Sequence, residues 1–170
     1  FNPLVIYGGV GLGKTHLLQA IGNKVLQRAP TPRAHYTTSE KFTIDFISAI
    51  QNNNSSSFSE RHRNVDTLLV DDIQFFQKKE QTQEQFFHTF NDLYQRGKQV
   101  VLTTDRHPSE LYGLKDRLIS RFQSGLIVDI QAPNLETRIA ILQKKAEEDK
   151  LEIPYEIIEL IATNIRGNIR

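Results

Sequence analysis

A glycine-rich segment near the start of the chain, GGVGLGKT at residues 8–15, constrains the fold more than any other part of the sequence. It has the spacing G-x-x-x-x-G-K-T of a loop that binds phosphate groups. An apolar run precedes it at 4–7, and a helical pattern follows in which Leu18, Ile21 and Val25 share one face. The alternative is a glycine-rich turn that only packs a strand against a helix. The strand, the spacing and the Lys-Thr pair together favour the phosphate loop.

The chemistry of such a loop predicts the roles of its residues. Backbone N–H groups and the start of the helix converge on an anion, and glycines let the chain approach phosphate oxygens closely. Lys14 would bridge the β- and γ-phosphates of ATP, and the Thr15 hydroxyl would bind Mg²⁺. The predicted ligands are therefore ATP or ADP with Mg²⁺. The predicted nucleotide-binding residues are Gly8, Gly9, Gly11, Gly13, Lys14, Thr15 and His16.

Short apolar runs alternate with helical periodicity through most of the chain. The runs after the first lie at 34–37, 67–71, 100–104 and 126–130. This alternation predicts an α/β fold, with a five-stranded parallel sheet flanked by helices over residues 1–130. Beyond residue 130 only helical patterns continue, at 135–149 and 155–166. We therefore predict that 131–170 begins a second, α-helical subdomain.

Local signals predict where some elements begin and end. Thr37 with Glu40 three residues later has the pattern of a capping box at the start of a helix. A long helix is predicted from 80 to 96, and Gly97 would end it in a left-handed conformation. The polar segment QNNNSSSFS at 51–59 is predicted to be a loop.

Acidic side chains follow the third apolar run. In TLLVDDIQFF, at 67–76, a buried strand delivers Asp71 and Asp72 to the carboxyl edge of the sheet, where ligands of open α/β sheets bind. We predict that Asp71 binds Mg²⁺ and that Asp72 orients the attacking water. Many ATPases carry glutamate at the second place, and the shorter aspartate predicts slow hydrolysis because water placement governs phosphoryl transfer. The alternative is that both aspartates cap a helix.

The fourth run, VVLTTD at 100–105, ends in Thr104 and Asp105. If its strand neighbours the Asp71 strand, these polar side chains lie beside the γ-phosphate and sense its presence. Strands also commonly end in Thr and Asp because both residues favour turns. The pattern alone leaves both interpretations open.

Composition excludes several kinds of site. The chain has no Cys, so disulfides, thiolate metal sites and cysteine nucleophiles are excluded, and its five His lack the paired spacing of a metal site. With 21 basic and 20 acidic residues there is no general electrostatic footprint for duplex DNA. No apolar run approaches the ~20 residues that span a membrane, so we expect a soluble protein, and the lack of Cys favours a cytoplasmic location. The absence of Met leads us to expect a fragment of a longer protein.

Four longer segments together resemble the AAA+ ATPase domain of the bacterial DnaA replication initiators. They read YGGVGLGKTHLLQAIGN, LLVDDIQFFQKKEQTQEQFFHTFNDLYQRGKQVVLTTDR, DRLISRFQSGL and IQAPNLETRIAILQKKAE. The resemblance runs from residue 1 to residue 170, and the last three segments are far more specific than the phosphate loop.

This resemblance implies roles for polar residues that spacing alone does not assign. Arg121, in SRF, matches the arginine finger that reads the ATP of an adjacent protomer, in trans. Arg170, in NIR, matches the second sensor, which contacts the γ-phosphate from the lid of the same chain, and Asp105 matches the first sensor. In the family's filament, single-stranded DNA would contact helices around Ile47 and Lys79. The implied catalytic residues are Lys14, Asp72, Asp105, Arg121 and Arg170.

The resemblance also implies an overall function: an initiator of chromosomal replication that binds ATP, assembles with other copies of itself on origin DNA, and promotes strand opening. Slow hydrolysis would switch it off. Other implied partners are acidic phospholipids and the replicative helicase or its loader. The helicase or loader, like duplex origin DNA, would be bound through regions outside this chain. One alternative is a DnaA-related helicase loader or regulatory paralogue. Another is a protein-remodelling AAA+ motor, which would need an aromatic pore loop that QNNNSSSF does not supply.

Overall fold

All five predicted strands are present in the computed structural model, which describes residues 1–28 and 33–165. The strands are Leu4–Gly8 (β1), Ala34–Thr38 (β2), Thr67–Asp71 (β3), Gln99–Thr104 (β4) and Leu126–Ile130 (β5). They pair in parallel in the order β2-β3-β4-β1-β5. The prediction of a five-stranded parallel sheet is confirmed, and β4 lies beside the Asp71 strand as the sensor interpretation required.

Helices connect the strands and continue after the last one. They are Lys14–Arg28 (α1), Ser39–Gln51 (α2), Ser55–Arg63 (α3), Glu80–Gln95 (α4), Asp116–Gln123 (α5), Leu135–Glu148 (α6) and Tyr155–Asn164 (α7). Short 3₁₀ turns lie at Ile73–Phe76 and Pro108–Glu110. No helix among the described residues is long and apolar enough to cross a membrane.

Strands β3 and β4 are covered on both faces of the sheet, which explains why their apolar residues do not alternate with polar ones. In β3, Leu68 and Val70 face a large aromatic core that includes Phe42 and Phe86. Leu69, between them, faces the other side and packs with Leu18 of α1. Strand β3 is therefore buried along its whole length.

The prediction of a loop at 51–59 is wrong, because α3 begins at Ser55. Asn and Ser dominate this segment, and such residues are typical of turns. Phe58 and His62, one turn apart, are nevertheless both buried. Their rings pack against Phe42 of α2, at 5.1 Å and 4.9 Å between centroids. Tertiary packing of these two side chains holds a helix that local propensity does not predict.

The predicted cap of α2 is one residue out of place. Thr38, in extended conformation, is the residue before the helix, and its hydroxyl accepts a hydrogen bond from the Lys41 amide at 3.0 Å. Thr37 is buried, and its hydroxyl donates to the Thr38 carbonyl instead. At the other predicted boundary Gly97 has φ +66°, as expected of the residue that ends α4.

The two edges of the sheet have different neighbours. At the carboxyl edge, β1 ends in Gly8, where the phosphate loop begins. At the amino edge, the segment between α5 and β5 closes on the start of β1, since the Leu126 amide donates to the Pro3 carbonyl at 2.9 Å. A side chain on Gly125 would place its Cβ 1.9 Å from the same carbonyl oxygen. This contact fixes the C-terminal end of α5 at the amino edge.

Helices α6 and α7 pack against each other beyond the last strand. The Arg138 guanidinium donates to the carbonyls of Pro133 and Ala162, each at 2.8 Å. Ala146 and Ile158 are buried in this helical pair.

Candidate nucleotide-binding site

The phosphate loop has the backbone that its glycines predict. Gly11 and Gly13 have φ +81° and +90°, values that residues other than glycine rarely adopt. A Cβ on Gly8 would lie 2.4 Å from the Ile130 carbonyl oxygen, so no larger residue fits at the turn out of β1. The loop is therefore specified by backbone geometry as well as by its motif.

Lys14 opens α1 and lies over the loop. Its side chain is buried, and its Nζ donates to the carbonyls of Gly8 and Gly9, both at 2.8 Å. The first helical hydrogen bond runs from the Leu17 amide to the Gly13 carbonyl at 2.9 Å. The backbone amides before this first turn have no partner within the helix. Free amides at a helix N-terminus bind anions. Thr15 is partly buried there, whereas His16 is exposed.

Asp71 ends β3 with a buried carboxylate, 2% exposed, that receives two hydrogen bonds. Its Oδ1 accepts from the Thr103 hydroxyl and its Oδ2 accepts from the Tyr36 hydroxyl at 3.1 Å. Burial, followed by the charge of Asp71, raises the pKa of the Tyr36 phenol, so the phenol stays protonated and donates.

The donor set at this edge fits Mg²⁺. Mg²⁺ is usually held by one or two protein oxygens, with phosphate oxygens and waters completing its shell. An anionic carboxylate at Asp71 and a hydroxyl at Thr15 supply oxygens of this kind. Within residues 1–28 and 33–165, no cluster of three or more His, Cys, Asp or Glu offers an all-protein metal site. A nucleotide-dependent Mg²⁺ is thus the metal that these residues suit.

Asp72 has a left-handed backbone, φ +55° and ψ +54°, which is uncommon for a residue other than glycine. Hydrogen bonds on both sides hold it there. Its amide donates to the Thr103 hydroxyl oxygen at 2.9 Å, and its carbonyl accepts from the Ser39 hydroxyl at 2.5 Å. Its carboxylate accepts from the Gln74 amide nitrogen at 3.1 Å. The backbone of Asp72 is therefore held by β4 and α2, while its side chain is bonded to Gln74.

Asp105 follows β4 and forms a bidentate ion pair with Arg106. The two bonds measure 2.9 Å from Nε to Oδ1 and 2.7 Å from Nη2 to Oδ2. The hydrogen bonds from Arg106 lower the pKa of Asp105 against the effect of burial, and the more distant charge of Lys14 acts in the same direction. Asp105 is thus a carboxylate within electrostatic reach of the phosphate loop.

The structure does not bring Arg121 to the phosphate loop. Arg121 lies in the last turn of α5, which ends at the amino edge of the sheet, whereas the loop lies at the carboxyl edge. Its guanidinium lies 5.8 Å from the centroid of the Tyr94 ring. Arg117, one turn earlier, forms an ion pair with Glu84 and covers the Phe87 ring at 4.4 Å.

Three predicted residues remain: Ile47, Lys79 and Arg170. Ile47 is 47% exposed on α2, between the exposed Ile44 and Ile50. Lys79 is partly buried and immediately precedes α4. Arg170 lies outside the described residues, so its prediction as a second sensor has no structural test here.

Three site residues were missed by the sequence-based predictions. Tyr36 and Thr103 hold the Asp71 carboxylate, and Arg106 holds Asp105. The Arg106 contact has a local signal, because the two residues are adjacent in the sequence. Tyr36 and Thr103 have none, because each lies more than thirty residues from Asp71 and meets it only through strand pairing.

Comparison with known families and structures shows which proteins this chain resembles. The model of the bacterial DnaA ATPase domain matches residues 1–129. Domain III of the Thermotoga maritima replication initiation protein DnaA is 47% identical, over 100% of this chain and 71% of that chain, with a TM-score of 0.96. The predicted AAA+ P-loop fold is confirmed by these similarities.

Two further structures bear on the range of functions. A replication initiator DnaA bound to AMPPCP and single-stranded DNA is 42% identical, over 98% of this chain, with a TM-score of 0.90. The present chain covers 51% of that chain, about half its length. A DnaC helicase loader is 16% identical, over 76% of this chain and 78% of its own, with a TM-score of 0.68. This last similarity shows a shared fold alone.

Proposed function

The chain belongs to the bacterial DnaA ATPase domain family, and we propose that it is the ATP-dependent switch of a chromosomal replication initiator. In this proposal it binds ATP with Mg²⁺, assembles with further copies of itself on origin DNA, and promotes strand opening. Slow hydrolysis to ADP ends the active state. The arrangement that carries the proposal is a nucleotide site at one edge of the sheet with a predicted arginine finger at the other.

Nucleotide binding rests on the phosphate loop and the two neighbouring strand ends. Lys14 and the α1 amides bind the phosphates, since both lie at the start of the helix. Thr15 and Asp71 would hold Mg²⁺, which would neutralise charge on the phosphates. Asp105 senses the γ-phosphate, and its ion pair with Arg106 keeps it anionic.

Slow hydrolysis follows from the short side chain of Asp72. Water orientation rather than covalent chemistry limits phosphoryl transfer, so a carboxylate that reaches less far holds the attacking water less well. The hydrogen bond from Gln74 also occupies one oxygen of this carboxylate. A slow ATPase suits a switch, because the ATP-bound state must outlast assembly.

Assembly rests on Arg121, whose place at the amino edge favours action in trans. An always-charged, planar guanidinium is suited to phosphate, and one that cannot reach its own loop is available to the ATP of a neighbour. Because hydrolysis is slow, we expect Arg121 to affect assembly more than rate. Residues 131–170 would begin the lid, and Arg170 would contact the γ-phosphate from it in the same chain.

Sizing of the full-length protein tests this proposal. Analytical ultracentrifugation with ATP, ADP or no nucleotide, each with origin-like duplex DNA, should give an oligomer with ATP alone. The variant Arg121→Ala should keep its ATP affinity and lose that oligomer. Arg117→Ala is the matched control on the same helix, because its cation is already paired with Glu84. A constant monomer in every condition would refute the switch, and loss of ATP binding in Arg121→Ala would mean that Arg121 acts in cis.

Single-stranded DNA is proposed to bind around α2 and the start of α4. Ile44, Ile47 and Ile50 form an exposed apolar row on α2 that sugars and bases can contact. Lys79 supplies a cation for the phosphate backbone. Duplex origin DNA, the replicative helicase or its loader, and acidic phospholipids would be bound by the whole protein, in the bacterial cytoplasm.

A further inference from the structure

One buried hydroxyl connects the two acidic residues of the site. Thr103, on β4, is 0% exposed and faces Asp71 across the sheet. Its hydroxyl donates to Asp71 Oδ1 and accepts from the Asp72 amide at 2.9 Å. A hydroxyl carries a single proton, so these two bonds use its donor and fix its direction. The rotamer of Asp71 is therefore coupled to the backbone of Asp72 through this hydroxyl.

The other oxygen of the same carboxylate is held from the opposite side. Tyr36, on β2, donates to Asp71 Oδ2 at 3.1 Å. Since β2 and β4 flank β3, the carboxylate lies between two donors that come from different strands. Each carboxylate oxygen can accept more than one hydrogen bond or bind a cation as well. The two donors thus orient Asp71 without occupying all of its lone pairs.

The left-handed backbone of Asp72 makes the Thr103 bond more consequential. A residue other than glycine in this conformation is strained and persists only where its surroundings hold it. Bonds from Thr103 and Ser39 supply that hold on the amide and carbonyl sides. Loss of the Thr103 hydroxyl would remove one hydrogen bond from the carboxylate of Asp71 and one from the peptide of Asp72.

We propose that Thr103 and Tyr36 are positioning residues that orient the Asp71 carboxylate towards Mg²⁺. Thr103 is the main one, because it also fixes Asp72. This inference rests on the proposed function, in which Asp71 binds Mg²⁺ together with ATP. Neither residue contacts the nucleotide in this scheme; each acts through Asp71.

The test measures ATP affinity by calorimetry with Mg²⁺ and with EDTA, using the full-length protein. Wild type should bind ATP more tightly with Mg²⁺, and Asp71→Asn should lose that gain. Thr103→Val, which removes the hydroxyl and keeps the shape, should reduce the gain at least tenfold while its affinity in EDTA changes less than twofold. Thr103→Ser should restore the gain. Tyr36→Phe should show the same selective loss, at least twofold.

Controls separate positioning from general damage to the fold. Thr67→Val makes the same change at a buried threonine at the opposite end of β3, and should leave the Mg²⁺ gain intact. If Thr103→Val does not fold, Tyr36→Phe decides, because its partly exposed ring can lose the hydroxyl without leaving a cavity. The inference is overturned if both variants keep the full Mg²⁺ gain, or if affinity falls equally with Mg²⁺ and EDTA. Absence of any Mg²⁺ gain in wild type would refute the Mg²⁺ site of the proposed function itself.

Discussion

His62 should make the stability of this chain fall between neutral pH and pH 5. Its ring is 0% exposed and packs edge-on against His35 and Phe42, each at 4.9 Å between centroids. Nδ1 lies 2.9 Å from the Phe58 carbonyl oxygen, while Nε2 has no partner among the described residues. Such a site accepts a neutral imidazole and disfavours a charged one.

The size of the effect follows from the pKa. Burial lowers the pKa of His62 from 6.5 to about 4. The hydrogen bond to Phe58 and the charge of Asp45 raise this pKa, whereas the charges of His35 and Arg61 lower it further. Below pH 6.5 the unfolded chain binds a proton that the folded chain refuses, so stability falls as pH falls. The loss from this one group is about 2 kcal/mol at pH 5 and about 3 kcal/mol near pH 4.

Urea unfolding at a series of pH values measures this loss. Far-UV circular dichroism is the suitable signal because the chain has no Trp. His62→Phe is the comparison: a phenyl ring suits the aromatic surroundings and cannot titrate. The free energy of unfolding of the parent should fall relative to the variant by about 2 kcal/mol from about pH 7.5 to pH 5. Carboxylates and His35 are present in both proteins, so they largely cancel. Parallel curves would show that His62 titrates normally and that the burial argument is wrong.

Three further substitutions test other parts of the molecule. Asp72→Glu should raise the single-turnover rate of ATP hydrolysis in rapid-quench experiments, and an unchanged or lower rate would remove the proposed cause of slow hydrolysis. Thr38→Ala should cost about 1 kcal/mol in urea unfolding, since it removes the cap of α2; no loss would mean that water replaces the cap. Lys79→Ala should reduce the salt dependence of single-stranded DNA binding by about one ion, and an unaltered slope would exclude a phosphate contact.

Local signals were sufficient for the parts of the fold and site that lie in one stretch of sequence. The phosphate loop could be predicted because a strand, its glycines and the Lys-Thr pair are adjacent, and Asp71 because three apolar residues of a strand precede it. Helix α3 could not, because its two buried side chains, Phe58 and His62, pack against Phe42 from another helix. The partners of Asp71 could not either, since parallel register is set by the whole sheet rather than by either strand.

The length of the sheet explains why Arg121 does not reach the phosphate loop of its own chain. Strand β1 has five residues, and at about 3.3 Å per residue its two ends lie roughly 16 Å apart. The phosphate loop is at one edge and Arg121 is near the other, so an arginine side chain cannot bridge them within the chain. Its contact with the Tyr94 ring at 5.8 Å is worth only about 0.5–1 kcal/mol at an exposed site. A neighbour's phosphate can therefore displace it at little cost. Two unlike surfaces that pair in this way form a head-to-tail contact, which generates a ring or an open helical filament rather than a closed dimer. In the proposed function, the position of Arg121 thus favours an assembly that can extend along DNA.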